Sequence, residues 1–202
     1  TRRSSDLFCA GLDLKELGNT TELPDISPKW PPMSKPVIGA INGAAVTGGL
    51  ELALYCDILI ASEKAAFADT HARVGLLPTW GLSVRLPQKV GVGMARRMSM
   101  TGDYLSAADA LRCGLVTEVV PHGELLPAAR AVAASIVGNN QKSVRALLSS
   151  YHRIDEAGTK YPLVHLESVD KELPALLGKA QQSANDVNQI TQDARRLSGA
   201  AG

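Results

Sequence analysis

The chain has 202 residues, 45% of them hydrophobic and 20% charged, enough for one sizeable core with room for a helical appendage. Its 21 basic and 20 acidic residues nearly cancel, which gives no electrostatic case for a nucleic-acid or membrane-surface partner. Aromatic residues make up only 4%, so packing has to rest on Ala, Val, Leu and Ile.

Leu7-Phe8-Cys9-Ala10-Gly11 reads as the end of a strand entering a turn, and Asp13 to Leu17 as helical. Gly18 to Pro36 is polar and proline-rich, the composition of a loop or a mobile lid. Val37 to Ile41 is a short apolar strand of the buried type, turned by Asn42-Gly43. Gly48 to Cys56 is helical, Asp57 to Ala61 is a second buried strand, and Ala66-Phe67-Ala68 reads as a third. Helices are expected over Gly81 to Lys89 and Met94 to Met100. Another is capped by Ser106, runs to Cys113 and stops at Gly114. Leu115 to Val120 is a strand, and from Glu124 the pattern is Ala-rich and helical with breaks near Gly138 and Gly158. Strands alternating with helices, then helices alone, predict an α/β core over residues 1–122 and a C-terminal helical region over 123–202.

Cys9, Cys56 and Cys113 are odd in number and lack zinc or redox spacing, so they are expected as free thiols in a reducing compartment. The longest apolar run, Leu50 to Ala61, is interrupted by Glu51 and Asp57 and is too short to span a bilayer. Thr1 to Asp6 carry no apolar stretch suited to a signal peptide. The expected location is cytoplasmic, with no membrane partner. His71, His122, His152 and His165 are scattered, so no metal site is expected. No Gly-x-Ser-x-Gly elbow, Gly-Lys-Ser/Thr loop or Gly-x-Gly-x-x-Gly fingerprint occurs.

The chemistry-bearing segment is Asn42 to Glu51. A strand ends, a glycine-containing turn follows, and a helix opens on Gly48-Gly49. The first N–H groups of a helix lack internal partners, and glycines leave them open to a ligand, as an anion or oxyanion would require. Glu51 lies three residues after Gly48 on the same helix face, about 4.5 Å along the axis, within reach of a group held at the Gly48 N–H. The plainer alternative is a Glu that favours the helix dipole or closes a capping box.

Phe8-Cys9-Ala10-Gly11-Leu12-Asp13 makes the pattern specific. With Lys35-Pro36-Val37-Ile38-Gly39-Ala40-Ile41-Asn42-Gly43, Gly48-Gly49-Leu50-Glu51 and Cys56-Asp57 following in order, then Thr101-Gly102, Ala107, Ala110 and Gly114-Leu115-Val116, the chain resembles the crotonase (enoyl-CoA hydratase/isomerase) superfamily from about Phe8 to Val120. The resemblance implies a ββα spiral core followed by C-terminal helices, and a homotrimer or dimer of trimers. It also implies that the family's opening strands and helix, which supply part of the adenine site, are missing ahead of Thr1. The family's closing pattern is not visible after about Ser150.

The implied substrate is an acyl-CoA thioester, coenzyme A being part of it and no separate cofactor being needed. The implied activity is that of a lyase of fatty acid metabolism, hydrating 2-enoyl-CoA. The alternatives are double-bond isomerisation and a non-catalytic CoA-thioester binder. Carried over by position, the Leu12 and Gly48 N–H groups form the oxyanion hole, and Glu51 is the first catalytic glutamate. Ala10, Leu12 and Lys15 contact CoA, although a solvated helix lysine accounts equally well for Lys15. The second glutamate is expected twenty residues after Glu51, where this chain has His71. Three roles stay open for it: proton partner of Glu51, pocket wall, or structural residue. Asp69 is near enough to supply or orient a carboxylate. Thr47 stands where hydratases often have a third glycine, and Thr79-Trp80 replaces small residues of the acyl-pocket wall.

Overall fold

A computed structural model describes residues 7–11 and 33–159, with side chains described through residue 153. The elements in chain order are β1 (Leu7–Cys9), β2 (Ile38–Ile41), β3 (Ala44–Val46), α1 (Gly48–Leu54), β4 (Ile58–Ser62) and β5 (Ala66–Ala68). A 3-10 turn over His71–Val74 leads to α2 (Leu82–Thr101), β6 (Leu105–Ser106), α3 (Ala107–Arg112) and β7 (Glu118–Val120). A second 3-10 turn over His122–Glu124 leads to α4 (Leu125–Val137) and α5 (Gln141–Thr159). The expected helix at Asp13 to Leu17 and, as far as Pro32, the expected loop from Gly18 to Pro36 lie outside the described residues.

From β1 to β5 successive strands alternate between two sheets, and β6 then pairs beside β5 before β7 returns to the second sheet. One has the order β1-β3-β5-β6 and the other β2-β4-β7. All pairings are parallel except β5 with β6. Parallel pairing buries both faces of a strand and demands crossovers. The chain meets that demand by stepping from one sheet to the other, which produces the ββα spiral. The core between the layers is aliphatic, with Ile41, Leu50, Leu59, Leu86 and Val116 buried around Phe67, its one fully buried aromatic among the described residues. α1 runs through this core, and its one charged residue is Glu51, 2% exposed. α4 lies across β2 and β4, seating the C-terminal helices on the core.

The capping and glycine signals hold in detail. Ser106 Oγ accepts from the Asp109 N–H at 3.1 Å and donates to Asp109 Oδ2 at 2.8 Å, and Gly114 takes φ 81° just past the helix. α2 consists of two helices joined across a kink where Gly91 takes φ 77° and ψ 156°, which is the interruption expected between Lys89 and Met94.

Two expectations need correction. Asn42-Gly43 does not lead straight into the helix, because Ala44–Val46 forms β3 between β1 and β5. The strand expected from Leu115 shortens to Glu118–Val120. The Leu115 and Val116 N–H groups fold back onto the Ala110 carbonyl at 2.9 and 3.3 Å and close the end of α3 instead. α5 is described as far as Thr159, so the break expected near Gly158 falls at the edge of the described residues.

The two glycines of α2 provide a test. Gly91 sits in a conformation that L side chains rarely adopt, whereas Gly93 is helical with open space where a Cβ would stand. Gly93→Ala should raise stability by about 0.5–1 kcal/mol, and Gly91→Ala should lower it, both read as shifts in denaturant midpoint.

Candidate active site

The end of β1 and the start of α1 meet at a distance only glycine allows. A Cβ on Gly49 would stand 1.9 Å from the Cys9 carbonyl oxygen, and one on Gly11 would stand 2.9 Å from the Gly48 nitrogen. Gly11 also takes φ 87°. The turn after Phe8 is thereby laid directly against the Gly48 amide. Among the described residues the Gly48 N–H has no hydrogen-bond acceptor. α1 is only seven residues long, so what it offers is this open N–H itself rather than a long helix dipole.

Thr47 aims that amide. It takes φ 55° and ψ −116°, a strained conformation for a β-branched residue, costing about 1–3 kcal/mol. Three bonds hold it there. Its N–H donates to the Ala68 carbonyl at 2.9 Å, its carbonyl accepts the Glu51 N–H at 3.0 Å, and its hydroxyl pairs with that of Thr70.

The register of β3 with β5, Val46 opposite Ala68, delivers the rest of the site. Just beyond the paired ends the chains carry Glu51 on α1 and Asp69 and His71 at the exit of β5, all under 10% exposed. Glu51 Oε1 accepts from the Trp80 N–H at 2.8 Å and the Leu82 N–H at 3.4 Å, while Oε2 lies 3.7 Å from His71 Nε2. On its other side His71 Nδ1 is 2.6 Å from Asp69 Oδ1, and the same oxygen accepts the His71 backbone N–H at 3.2 Å. Burial pushes the Glu51 carboxyl above its ordinary range, against the opposing pull of His71 and the two amides. Burial would push Asp69 up as well, but hydrogen bonds from His71 and Ser99 outweigh it and hold Asp69 below its ordinary range.

Of the residues marked by the sequence, Gly48, Glu51 and His71 are gathered in one place, with Ala10 beside Gly11 on the approaching turn. Leu12 and Lys15 lie outside the described residues. Three participants carried weak signals or none: Asp69, weighed only as a neighbour of His71, and a second set, the pair of Trp80 and Leu82 amides. That second set could not be read from residue types, since backbone groups carry no side-chain signature. A cavity of about 540 Å³ lies at the other end of α1, lined by Tyr55, Arg85, Lys89, Leu148 and His152, and does not include the Glu51–His71 pair. Among the described residues no group of three His, Cys, Asp or Glu side chains is arranged to hold a metal.

The family model for enoyl-CoA hydratase/isomerase matches residues 2–169. The chain belongs to the enoyl-CoA hydratase/isomerase family. Among its relatives is an Arabidopsis thaliana protein named probable enoyl-CoA hydratase 1, peroxisomal. It is 42% identical over 171 residues, which cover 82% of this chain and 63% of that protein. The crotonyl-CoA hydratase of Syntrophomonas wolfei is 44% identical over 113 residues, covering 56% of this chain and 44% of that protein. A crystal structure of an enoyl-CoA hydratase from Mycobacterium avium superposes with a TM-score of 0.71 at 70% identity, covering 92% of this chain and 76% of that one. The chain thus spans less than two thirds of the length of either curated relative named here.

Glu51 provides a stability test in this family member. Its folded-state pKa lies above the ordinary 4.5, so the fold favours the protonated carboxyl. That contribution is complete below the ordinary value and is lost as pH rises through the folded one. Gln cannot ionise yet keeps an acceptor for the Trp80 and Leu82 amides. Glu51→Gln should therefore gain in Tm relative to the parent between pH 4 and pH 7, and a difference that shrinks with rising pH would contradict the buried-carboxylate reading.

Proposed function

We propose that the protein carrying this chain hydrates 2-enoyl-CoA thioesters, with Glu51 and His71 as the acid/base pair and the Gly48 N–H, joined by that of Leu12, as the oxyanion hole. The observation that carries this reading is the approach of Glu51 Oε2 and His71 Nε2 to 3.7 Å beside an open Gly48 amide. That spacing is too long for a direct hydrogen bond. It suits a water oxygen about 2.8 Å from each atom, giving one hydrogen to each.

Addition of that water to Cβ places negative charge on the thioester oxygen. One oriented amide there contributes about 2.7–4 kcal/mol of transition-state stabilisation. The water's hydroxyl joins Cβ, its remaining proton passes to the pair, and a proton from the pair goes to Cα, so that one water is added in all. The raised pKa of Glu51 brings that carboxyl nearer the operating pH, where proton transfer in both directions is efficient. Ala10, Leu12 and Lys15 are assigned to the CoA portion of the substrate. A homotrimer or dimer of trimers fits the exposed Val137, Leu147 and Tyr151 on the C-terminal helices, and sedimentation as a monomer would count against it.

One observation favours double-bond isomerisation as the second reading. Glu51 Oε1 is already bonded to two amides, so a single carboxylate oxygen faces the open side, and one such group can carry a proton between two carbons. Crotonyl-CoA and a 3-enoyl-CoA separate the two. Hydration removes the conjugated thioester absorbance of crotonyl-CoA, whereas isomerisation of the 3-enoyl substrate creates it.

Glu51→Gln should reduce crotonyl-CoA turnover by about 100-fold or more, and unchanged turnover would remove Glu51 from the mechanism. Gly11→Ala places a Cβ against the Gly48 nitrogen and should also depress kcat. His71→Ala should cost about as much as Glu51→Gln. A much smaller loss would make His71 part of the pocket wall.

A further inference from the structure

A histidine can replace a carboxylate beside an attacking water only if its exposed nitrogen accepts a hydrogen bond. Neutral imidazole has one donor and one acceptor, and which nitrogen is which depends on the partner of the other. The Nε2–H form would point a hydrogen at the water and at Glu51, where an acceptor is needed.

The geometry points to Asp69 as the positioning residue that selects the Nδ1–H form of His71, and so converts Nε2 into a substitute for a carboxylate oxygen. The inference rests on the acid/base role of Glu51 and His71 given above. Asp69 Oδ1 is 2.6 Å from Nδ1 and also receives the His71 backbone N–H, so ring and main chain are fixed against one oxygen. Asp69 is 1% exposed and bonded to Ser99 from α2, which keeps the carboxylate from turning away. Among the described residues the other charged group paired with the ring is Glu51, from α1.

An ionised carboxylate only accepts, so the partner at Nδ1 has to be a donor. Asp69 is held ionised by the same bonds that tie it to His71 and Ser99, through which its carboxyl stays below the ordinary range. The proton on Nδ1 is therefore retained while the bare Nε2 takes up a proton from the water and gives it up again. Asp69 itself touches neither water nor substrate.

The experiment has a structural arm and a kinetic arm. Side-chain ¹⁵N NMR of the whole protein, with the His71 signals assigned through His71→Gln, reports the protonation of each ring nitrogen. The expected result is a neutral ring protonated at Nδ1 with Nε2 bare. A neutral ring protonated at Nε2, or an imidazolium persisting to pH 9, would overturn the inference. This arm needs no turnover, so it stands even if crotonyl-CoA proves not to be the substrate.

In the kinetic arm Asp69→Asn keeps the size of the side chain but can offer an amide N–H to Nδ1, which reverses the tautomer. The expected outcome is a switch to Nε2–H in the spectrum with kcat for crotonyl-CoA reduced about 100-fold or more and KM changed little, as for a wrong-tautomer histidine. Retention of the Nδ1–H form, or an unchanged kcat after the switch, would refute the assignment. If Asp69→Asn fails to fold, the spectrum of the unaltered protein still decides the matter. If the switch occurs and neither thioester is turned over by the parent, the proposed reaction fails while the Asp69 assignment survives.

Discussion

The site depends on a backbone contact that admits no side chain. The Cys9 carbonyl and the Gly11 turn press against the first residues of α1 so closely that a single Cβ at Gly49 would overlap the carbonyl oxygen. Packed cores transmit such a constraint rather than absorb it, because little free volume lies nearby. With β1 fixed in parallel register beside β3, the α1 terminus has one place to emerge, and its open Gly48 N–H faces the turn that carries the family motif. The Gly48-Gly49 pair is thus a packing requirement as well as a chemical one.

The second constraint is the pairing of β3 with β5. These strands share little area, being three residues each, yet their register brings the departures toward Glu51 and toward His71 together. The Thr47–Ala68 bond and the Thr47–Thr70 hydroxyl pair extend that pairing one step past the strands. They hold Thr47 in a conformation that glycine would adopt without strain. The cost is local, and the bonds that meet it also fix the direction of the next amide, so strain and orientation have one origin.

How legible this was follows from the kind of signal each part carries. The buried strands Ile38–Ile41 and Ile58–Ser62 are dense in β-branched residues, and the Ser106 cap and the Gly114 stop have stereochemical causes that act locally, so they could be read directly. β3 could not. Ala44-Ala45-Val46 has weak strand propensity, and only its neighbours β1 and β5 make it a strand. Gly48 and Glu51 were legible because helix spacing relates them. Their meeting with His71 was legible through family likeness alone, because no local rule places residues of two different strand exits 3.7 Å apart.

Charge explains why Asp69 belongs with that histidine. Exchanging a buried carboxylate for imidazole removes one negative charge and replaces two acceptor oxygens by a single acceptor nitrogen. A neutral ring left to itself would also be free to turn or to change tautomer. Asp69 restores a carboxylate one position further from the open side, so the buried cluster keeps two carboxyl groups with the ring between them. Their pKa values are pushed apart, Asp69 downward by its hydrogen bonds and Glu51 upward by burial. Two like groups driven in opposite directions by their surroundings take different tasks. The one held ionised can orient, and the one brought closer to neutrality can gain and lose a proton. In the proposed mechanism the site keeps the logic of a paired acid and base while changing one of its chemical members.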